Sequence, residues 1–480
     1  MNFLSIFTVL RRCRGWPRCG LCINLLAVLM AGGANDALAH GPHGGGPGPG
    51  GGLGGGSGLG SAQGRGLGLG LGSPNELHVR ENLDNATKHN TVEDVPTVPD
   101  QRIKATRALL RQHRDVLEAD PLGAPVRRRQ ILVWSPTPGA LAAAQQLGFI
   151  VLQKRALAAL GETLVTLGVP EQIDTDAALT QLRAVDPQGD YDFNHLYFGS
   201  GDISQGGLQT LRQPVSAPGN ATGNAERRIG LIDSGVAIRH PALQGGTVTQ
   251  WGCDDKPIPS AHGTAVASLL TGRDGKFRSG ASGTRLFAAD VYCGLATGGA
   301  VDQIAEALAW LAKEQVAVIN LSLVGPPNRT LERVVGAMLR RGHLLIAAVG
   351  NDGPNAPPLY PASYPGVVGV SAIDPQRRPL PEAARGPQVM FAAPGSQLLA
   401  AASDGAAYRV VRGTSFAAPF VAALLAQKLA RPEPQAAQRA LTALIEQAAG
   451  ADHRRTPETG WGVVGEEFRV APGTMPAAPD

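Results

Sequence analysis

From Arg227 to about Val470 the sequence keeps one rhythm, in which short apolar runs of strand length alternate with longer segments of helical spacing. The runs are Ile229-Gly230-Leu231-Ile232, Leu286-Phe287-Ala288-Ala289, Val316 to Leu321, Leu344 to Val349 and Val367 to Val370. The helical segments are Gly263 to Leu270, Val301 to Lys313, Thr330 to Arg341 and Phe416 to Leu429. Strands that alternate with helices pair in parallel through crossover helices, so residues 227–475 are expected to form an α/β, three-layer parallel-sheet domain. In such sheets functional sites lie beyond the carboxyl ends of the strands, which directs attention to the residues that close each run.

Residues 129–198 carry a second, smaller pattern. Strands are expected at Ile131 to Trp134, Phe149 to Leu152, Thr163 to Leu167 and Tyr191 to Phe198, with helices at Pro138 to Leu147 and Thr175 to Ala184. The order β-α-β-β-α-β is the ferredoxin-like arrangement, a small α+β module. Fold alone leaves open an independent binding module. Ahead of it lies a helical segment, 101–128, in which Gln101 to Glu118 has a basic face that reads as a solvated helix surface. Residues 199–226 form a linker rich in Gly, Pro, Ser and Asn over Leu211 to Asn224.

The chain of 480 residues is long enough for two or three domains, and its 43% apolar residues allow a sizeable core. A net charge of +4 is weak for this length and points to no nucleic-acid partner. Its 63 glycines crowd toward the N-terminus, where His40 to Gly72 cannot bury enough apolar surface to offset ordering entropy; 40–100 therefore reads as a Gly-rich disordered linker.

Residues 1–39 have the layout of a secretory signal peptide: Arg11, Arg12, Arg14 and Arg18, then Leu21 to Ala31, then Ala37-Leu38-Ala39 as a cleavage site. The apolar run is about half the ~20 residues a span needs, which disfavours an uncleaved anchor and leaves no membrane association after cleavage. Arg11-Arg12 fits twin-arginine export poorly. The expected location is secreted or periplasmic. Of five cysteines only Cys253 and Cys293 lie in the globular part. Export permits a disulfide between them; two buried free thiols are the other reading.

Asp233 follows the strand Ile229 to Ile232, where an Asp before Ser-Gly is ordinarily a turn residue or cap. His262 opens HGTAVASLL and alone is no more than a helix-start residue. Ser415 sits in GTSFAAPFVAALLA, where a Ser could simply cap the helix. The small residues around it nevertheless suit an exposed nucleophile whose own N–H faces a developing oxyanion. Asn351, in AAVGNDGP, alone reads as a turn. Together they supply an orienting acid, a base and a nucleophile at strand ends and helix starts of one domain, plus an amide donor.

The stretches IGLIDSGV, HGTAVASLLTG, VINLSLVGP, AAVGNDGP, YPASYPGVVGVSA, FAAPG and GTSFAAPFVAALLA resemble the successive motifs of the subtilisin-like serine peptidases over most of residues 227–430, and GTSFAAP is the most specific of them. The order Asp, His, Ser is also that of subtilisin. The resemblance implies a secreted serine endopeptidase in which Asp233 orients the base, His262 is general base and acid, Ser415 is the nucleophile and Asn351 donates to the oxyanion. It implies substrate binding along Ser322, Leu323, Val324 and Gly325, with Ala348, Val349 and Gly350 as the opposite wall of the first specificity pocket. Val324 stands where the family usually has Gly, which narrows a subsite.

By the same resemblance residues 129–198 are a propeptide, an intramolecular inhibitor, with its processing site within 199–226. No cofactor is required. A structural calcium is not supported, because Gly272 to Thr284 carries one carboxylate, Asp274, among three cations. Polypeptide substrates and a monomeric enzyme are expected. The competing readings are a catalytically silent binding module and a surface-interaction protein that works through its Gly-rich tract.

Overall fold

The computed structural model describes residues 98–200, 211–212, 227–275, 277–450 and 454–472. The expected signal peptide, nearly all of the Gly-rich linker and most of the 199–226 linker lie outside the described residues.

Seven strands form one sheet in the order Val389–Pro394, Val368–Ile373, Leu344–Ala348, Val318–Leu321, Arg228–Asp233, Arg285–Asp290, Val248–Trp251. Every neighbouring pair is parallel. Successive side chains on a strand face opposite ways, and here both faces are dry. Ile229, Leu231, Ile346 and Ala348 enter one core with the helices Ala261–Thr271 and Ala418–Lys428. Ile232, Leu345 and Ala347 enter the other with Val301–Lys313 and Arg329–Arg340. Gly230 faces this second core; a Cβ there would lie 3.0 Å from Ile319 and 3.2 Å from Leu311, so side chains pack directly on the strand backbone. This is the expected three-layer arrangement.

The N-terminal module has four antiparallel strands ordered Ile150–Leu157, Glu162–Gly168, Pro125–Trp134, Asp190–His195, with helices Pro138–Gln146 and Thr175–Val185. That is the ferredoxin-like order. Its front edge differs from expectation. The leading helix spans Val98–Gln112, and Leu117–Ala119 then pairs antiparallel with Pro125 to Arg127. The cause is the turn Asp120-Pro121-Leu122-Gly123. The Asp120 carboxylate accepts from Leu122 N (2.9 Å) and Ala124 N (2.7 Å), and Gly123 takes the left-handed conformation at φ 86°.

The unbroken apolar run Ile131 to Trp134 is explained by burial on both faces. Ile131 and Val133 point into the module's own core. Leu132, Trp134 and Leu164 pack with Ile304, Leu308 and Leu331 on the helices of the larger domain. The strand Asp190–His195 adds polar contacts: Asp192 accepts from Arg329 N (2.6 Å) and Asn194 from Asp302 N (3.3 Å). Both donors are first-turn N–H groups with no partner inside their helices, so the module completes two helix N-termini of its neighbour.

Candidate active site

Asp233 ends the central strand Arg228–Asp233, His262 is the second residue of the helix Ala261–Thr271, and Ser415 lies in the 3-10 turn Thr414–Phe416 that leads into Ala418–Lys428. All three are buried. His262 Nδ1 lies 2.9 and 3.0 Å from the two carboxylate oxygens of Asp233. An ionised carboxylate only accepts, so the ring proton sits on Nδ1 and Nε2 is the basic nitrogen. Asp233 is itself held: Ser234 donates to Oδ1 through its N–H (2.7 Å) and hydroxyl (2.9 Å), and Ser234 Oγ accepts from Gly263 N (3.1 Å). Gly263 is required at this contact, because a Cβ would lie 2.1 Å from Ser234 O. The imidazole packs against Phe416, next to Ser415, at 5.2 Å between ring centroids.

Asn351 follows Gly350, which turns the chain at φ 104° just past the strand Leu344–Ala348. Its Oδ1 accepts from Thr414 N at 3.0 Å, and this orients Nδ2, which donates to the carbonyl oxygen of Ser200. Thr414 Oγ1 in turn accepts from Gly350 N (3.2 Å). Ser415 Oγ is hydrogen-bonded to Ser200 Oγ, and Ser322 Oγ donates to Ser415 O at 3.1 Å.

The wall Ser322 to Gly325 is already engaged by the chain's own residues. Phe198–Gly199 pairs antiparallel with Leu323–Val324, and Ser200 N reaches Ser322 O at 3.4 Å. On the other side Leu196 bridges Ala300 and Tyr197 N donates to Gly299 O at 2.8 Å. Residues 196–200 therefore touch both segments, through a two-stranded pairing with Leu323–Val324 on one side and a single bridge at Leu196 on the other, and the run ends with a peptide carbonyl at Asn351. Tyr197 is fully buried, with its hydroxyl donating to Pro326 O at 2.5 Å. Ala348 and Val349 are buried on opposite faces of the sheet end.

Sequence reasoning missed Ser200, Tyr197, Gly299, Ser234 and Asp352. A Tyr-Phe-Gly-Ser run directly before a Gly-rich linker was the available signal for the first two. The solvated reading of the leading helix is corrected at one residue: Arg102 leaves its basic face to pair with Asp352 at 3.0 Å. Cys253 and Cys293 form a disulfide with Cα atoms 5.3 Å apart, which sets the free-thiol reading aside. Among the described residues the one close group of metal-ligand type is Cys253, Asp290 and Cys293, whose sulfurs are bonded to each other and are not thiolate ligands. The Asp274 carboxylate accepts from the Tyr408 hydroxyl at 2.8 Å.

The sequence profile of the subtilase family (peptidase S8) matches residues 225–462. Subtilisin Savinase of Lederbergia lenta is 31% identical over 230 residues, 46% of this chain and 84% of that protein. This chain belongs to the subtilase family. An alkaline protease of Alkalihalobacillus alcalophilus is also 31% identical over 230 residues, which here cover 59% of the relative. The crystal structure of fervidolysin from Fervidobacterium pennivorans, described as a keratinolytic enzyme related to subtilisin, superposes with a TM-score of 0.57 at 18% identity. That match covers 72% of this chain and 61% of fervidolysin, and it shows a shared fold. As a subtilase the chain is a serine endopeptidase acting on peptide substrates; a catalytically silent binding module is not favoured. Among the described residues no helix is long and apolar enough to cross a membrane.

Proposed function

We propose that this subtilase is an exported zymogen whose residues 98–200 occupy its own cleft, and that it matures by cutting the Ser200–Gly201 bond. The observation that carries the reading is the Ser200 carbonyl accepting from Asn351 Nδ2 while the Ser200 and Ser415 hydroxyls meet. Ser200 thus brings its carbonyl oxygen to Asn351 and its hydroxyl to Ser415, which supports reading it as the residue before the scissile bond.

In the proposed reaction Ser415 Oγ attacks the carbonyl carbon and His262 Nε2 takes its proton. Asp233 keeps the imidazole in the required tautomer and stabilises the imidazolium. The tetrahedral oxyanion receives hydrogen bonds from Asn351 Nδ2 and the Ser415 N–H. His262 then protonates the leaving amine, and water repeats the sequence on the acyl-enzyme. None of these steps uses a metal or organic cofactor. Peptide substrates of the mature enzyme take the place of residues 196–200, adding a strand between Ser322 to Gly325 and Gly299. The ferredoxin-like module acts as the intramolecular inhibitor, supported by its contacts to the helices Val301–Lys313 and Arg329–Arg340. The N-terminal segment directs export to the periplasm or the medium, where the enzyme works as a monomer.

A serine-directed fluorophosphonate tests the catalytic assignment. The mature protein should be labelled at Ser415, and Ser415→Ala should abolish labelling. Equal labelling of the variant would remove Ser415 from the role.

A further inference from the structure

The strand Arg285–Asp290 ends beside the strand that carries Asp233, and Asp290 and Asp233 are register partners, each 2% exposed. Asp233 holds His262; Asp290 has no part in the proposed reaction. A buried carboxylate is costly unless its oxygens are met. Here three peptide N–H groups meet them. Tyr292 N (3.0 Å) and Cys293 N (2.9 Å) donate to Oδ1, and Ile258 N (3.2 Å) donates to Oδ2. Glycines make the room: a Cβ on Gly235 would lie 2.8 Å from Asp290 Oδ2, and one on Gly252 would lie 2.3 Å from Asp290 O.

The two oxygens serve two different segments. Oδ1 holds the start of the loop 291–299. Cys293 sits there at φ 53°, a left-handed conformation that a non-glycine residue keeps only where its surroundings enforce it. Asp290 and the Cys253–Cys293 disulfide are those surroundings. The loop then closes on itself, with Gly298 N donating to Leu295 O at 3.0 Å and Gly299 N to Val291 O at 2.8 Å. Its last carbonyl, Gly299 O, is the one that accepts from Tyr197 N. Oδ2 holds Ile258, and two residues on Ser260 N donates to Gly235 O at 2.9 Å directly before the helix Ala261–Thr271 that carries His262. One carboxylate thus ties the substrate wall to the approach of the general base.

We propose that Asp290 is a positioning residue: it fixes the Gly299 carbonyl relative to His262 so that a peptide strand pairs with it, while touching neither substrate nor the reacting atoms. This rests on the endopeptidase reading and assigns the residue that holds its substrate wall.

The test reads one hydrogen bond in the self-matured enzyme, active-site titrated with a fluorophosphonate. Two anilide substrates carry Leu-Tyr-Phe-Gly-Ser before the scissile bond, the sequence of residues 196–200. One has the ordinary Leu-Tyr amide, and the other has an ester oxygen in place of its N–H. In the wild type the ester substrate should lose about three- to tenfold in kcat/KM, the worth of one peptide hydrogen bond, chiefly through KM. In Asp290→Ala the two substrates should converge to within about twofold. Asp290→Asn, whose amide oxygen still accepts from Tyr292 N and Cys293 N, should keep about half of the wild-type ratio. A residue needed only for folding would lower the titrated yield and leave the ratio alone. A wild-type ratio kept by Asp290→Ala overturns the proposal. If Asp290→Ala gives no titratable enzyme, Asp290→Asn decides, and an unchanged ratio, or no titratable enzyme from it either, overturns the proposal. A wild-type ratio near one removes Gly299 from the substrate wall and overturns it too. A wild type that titrates no site overturns the endopeptidase reading itself, and the proposal falls with it.

Discussion

Asp233 grips His262 Nδ1 with both carboxylate oxygens, at 2.9 and 3.0 Å, and is itself fixed by the N–H and hydroxyl of Ser234. The grip sets which ring nitrogen is basic. Asp233→Asn places an amide that can donate to Nδ1 and so favours the unproductive tautomer. Turnover on a peptide substrate should fall by about 10⁴, the loss known for this change in a serine protease triad, with circular dichroism unchanged. A loss below tenfold would contradict the role.

Asn351 is oriented by Thr414 N before any substrate is present in trans. Asn351→Ala should lower kcat by about 10²–10³, the magnitude known for subtilisin, with KM little altered, because the bond strengthens as charge builds on the carbonyl oxygen. A change confined to KM would make it a ground-state contact.

The parallel sheet was legible because its strands are apolar on both faces and its helices keep their spacing, and Asp233, His262, Ser415 and Asn351 stood out as candidates because each closes or opens such an element. The additional hairpin was not: Leu117–Ala119 is three residues long, and its Asp-Pro-Leu-Gly turn resembles an ordinary loop. Arg102 was also hidden. Helical spacing places it on a basic face, and only the tertiary approach of Asp352, 250 positions away, singles it out. The disulfide depended likewise on two segments meeting beside Asp290.

Val324 is completely buried and paired with Phe198, a residue of the segment whose place substrate is proposed to take. Val324→Gly removes its isopropyl group, so the cleavage profile should broaden toward larger side chains. Profiles of the two enzymes on one peptide library check this, and identical profiles would show that the branched side chain restricts nothing.

His240 is buried as a neutral ring: Nδ1 accepts from Ala242 N (3.1 Å) and Nε2 donates to Ala407 O (2.9 Å). Burial holds its pKa below the ordinary 6.5, against the opposing pull of the Ala407 bond. The unfolded chain takes up a proton near the ordinary value, whereas the folded chain does so only at lower pH. The contribution to stability is therefore full above about pH 6.5 and is lost as pH falls through the depressed pKa. The Ser415→Ala protein should melt at a lower temperature at pH 5 than at pH 7.5. His240→Asn, which keeps an acceptor near Ala242, should shrink that difference; an undiminished difference would acquit His240.

If residues 196–200 lie in the cleft as a substrate does, with the Ser200 carbonyl held by Asn351 and its hydroxyl against Ser415, the Ser200–Gly201 bond is the one that is cut. N-terminal sequencing and intact mass of the matured protein test it directly. The mature wild-type chain should begin at Gly201, and Ser415→Ala should give no such product. A mature wild-type terminus at another residue, or the same terminus from the Ser415→Ala protein purified alone, would contradict it.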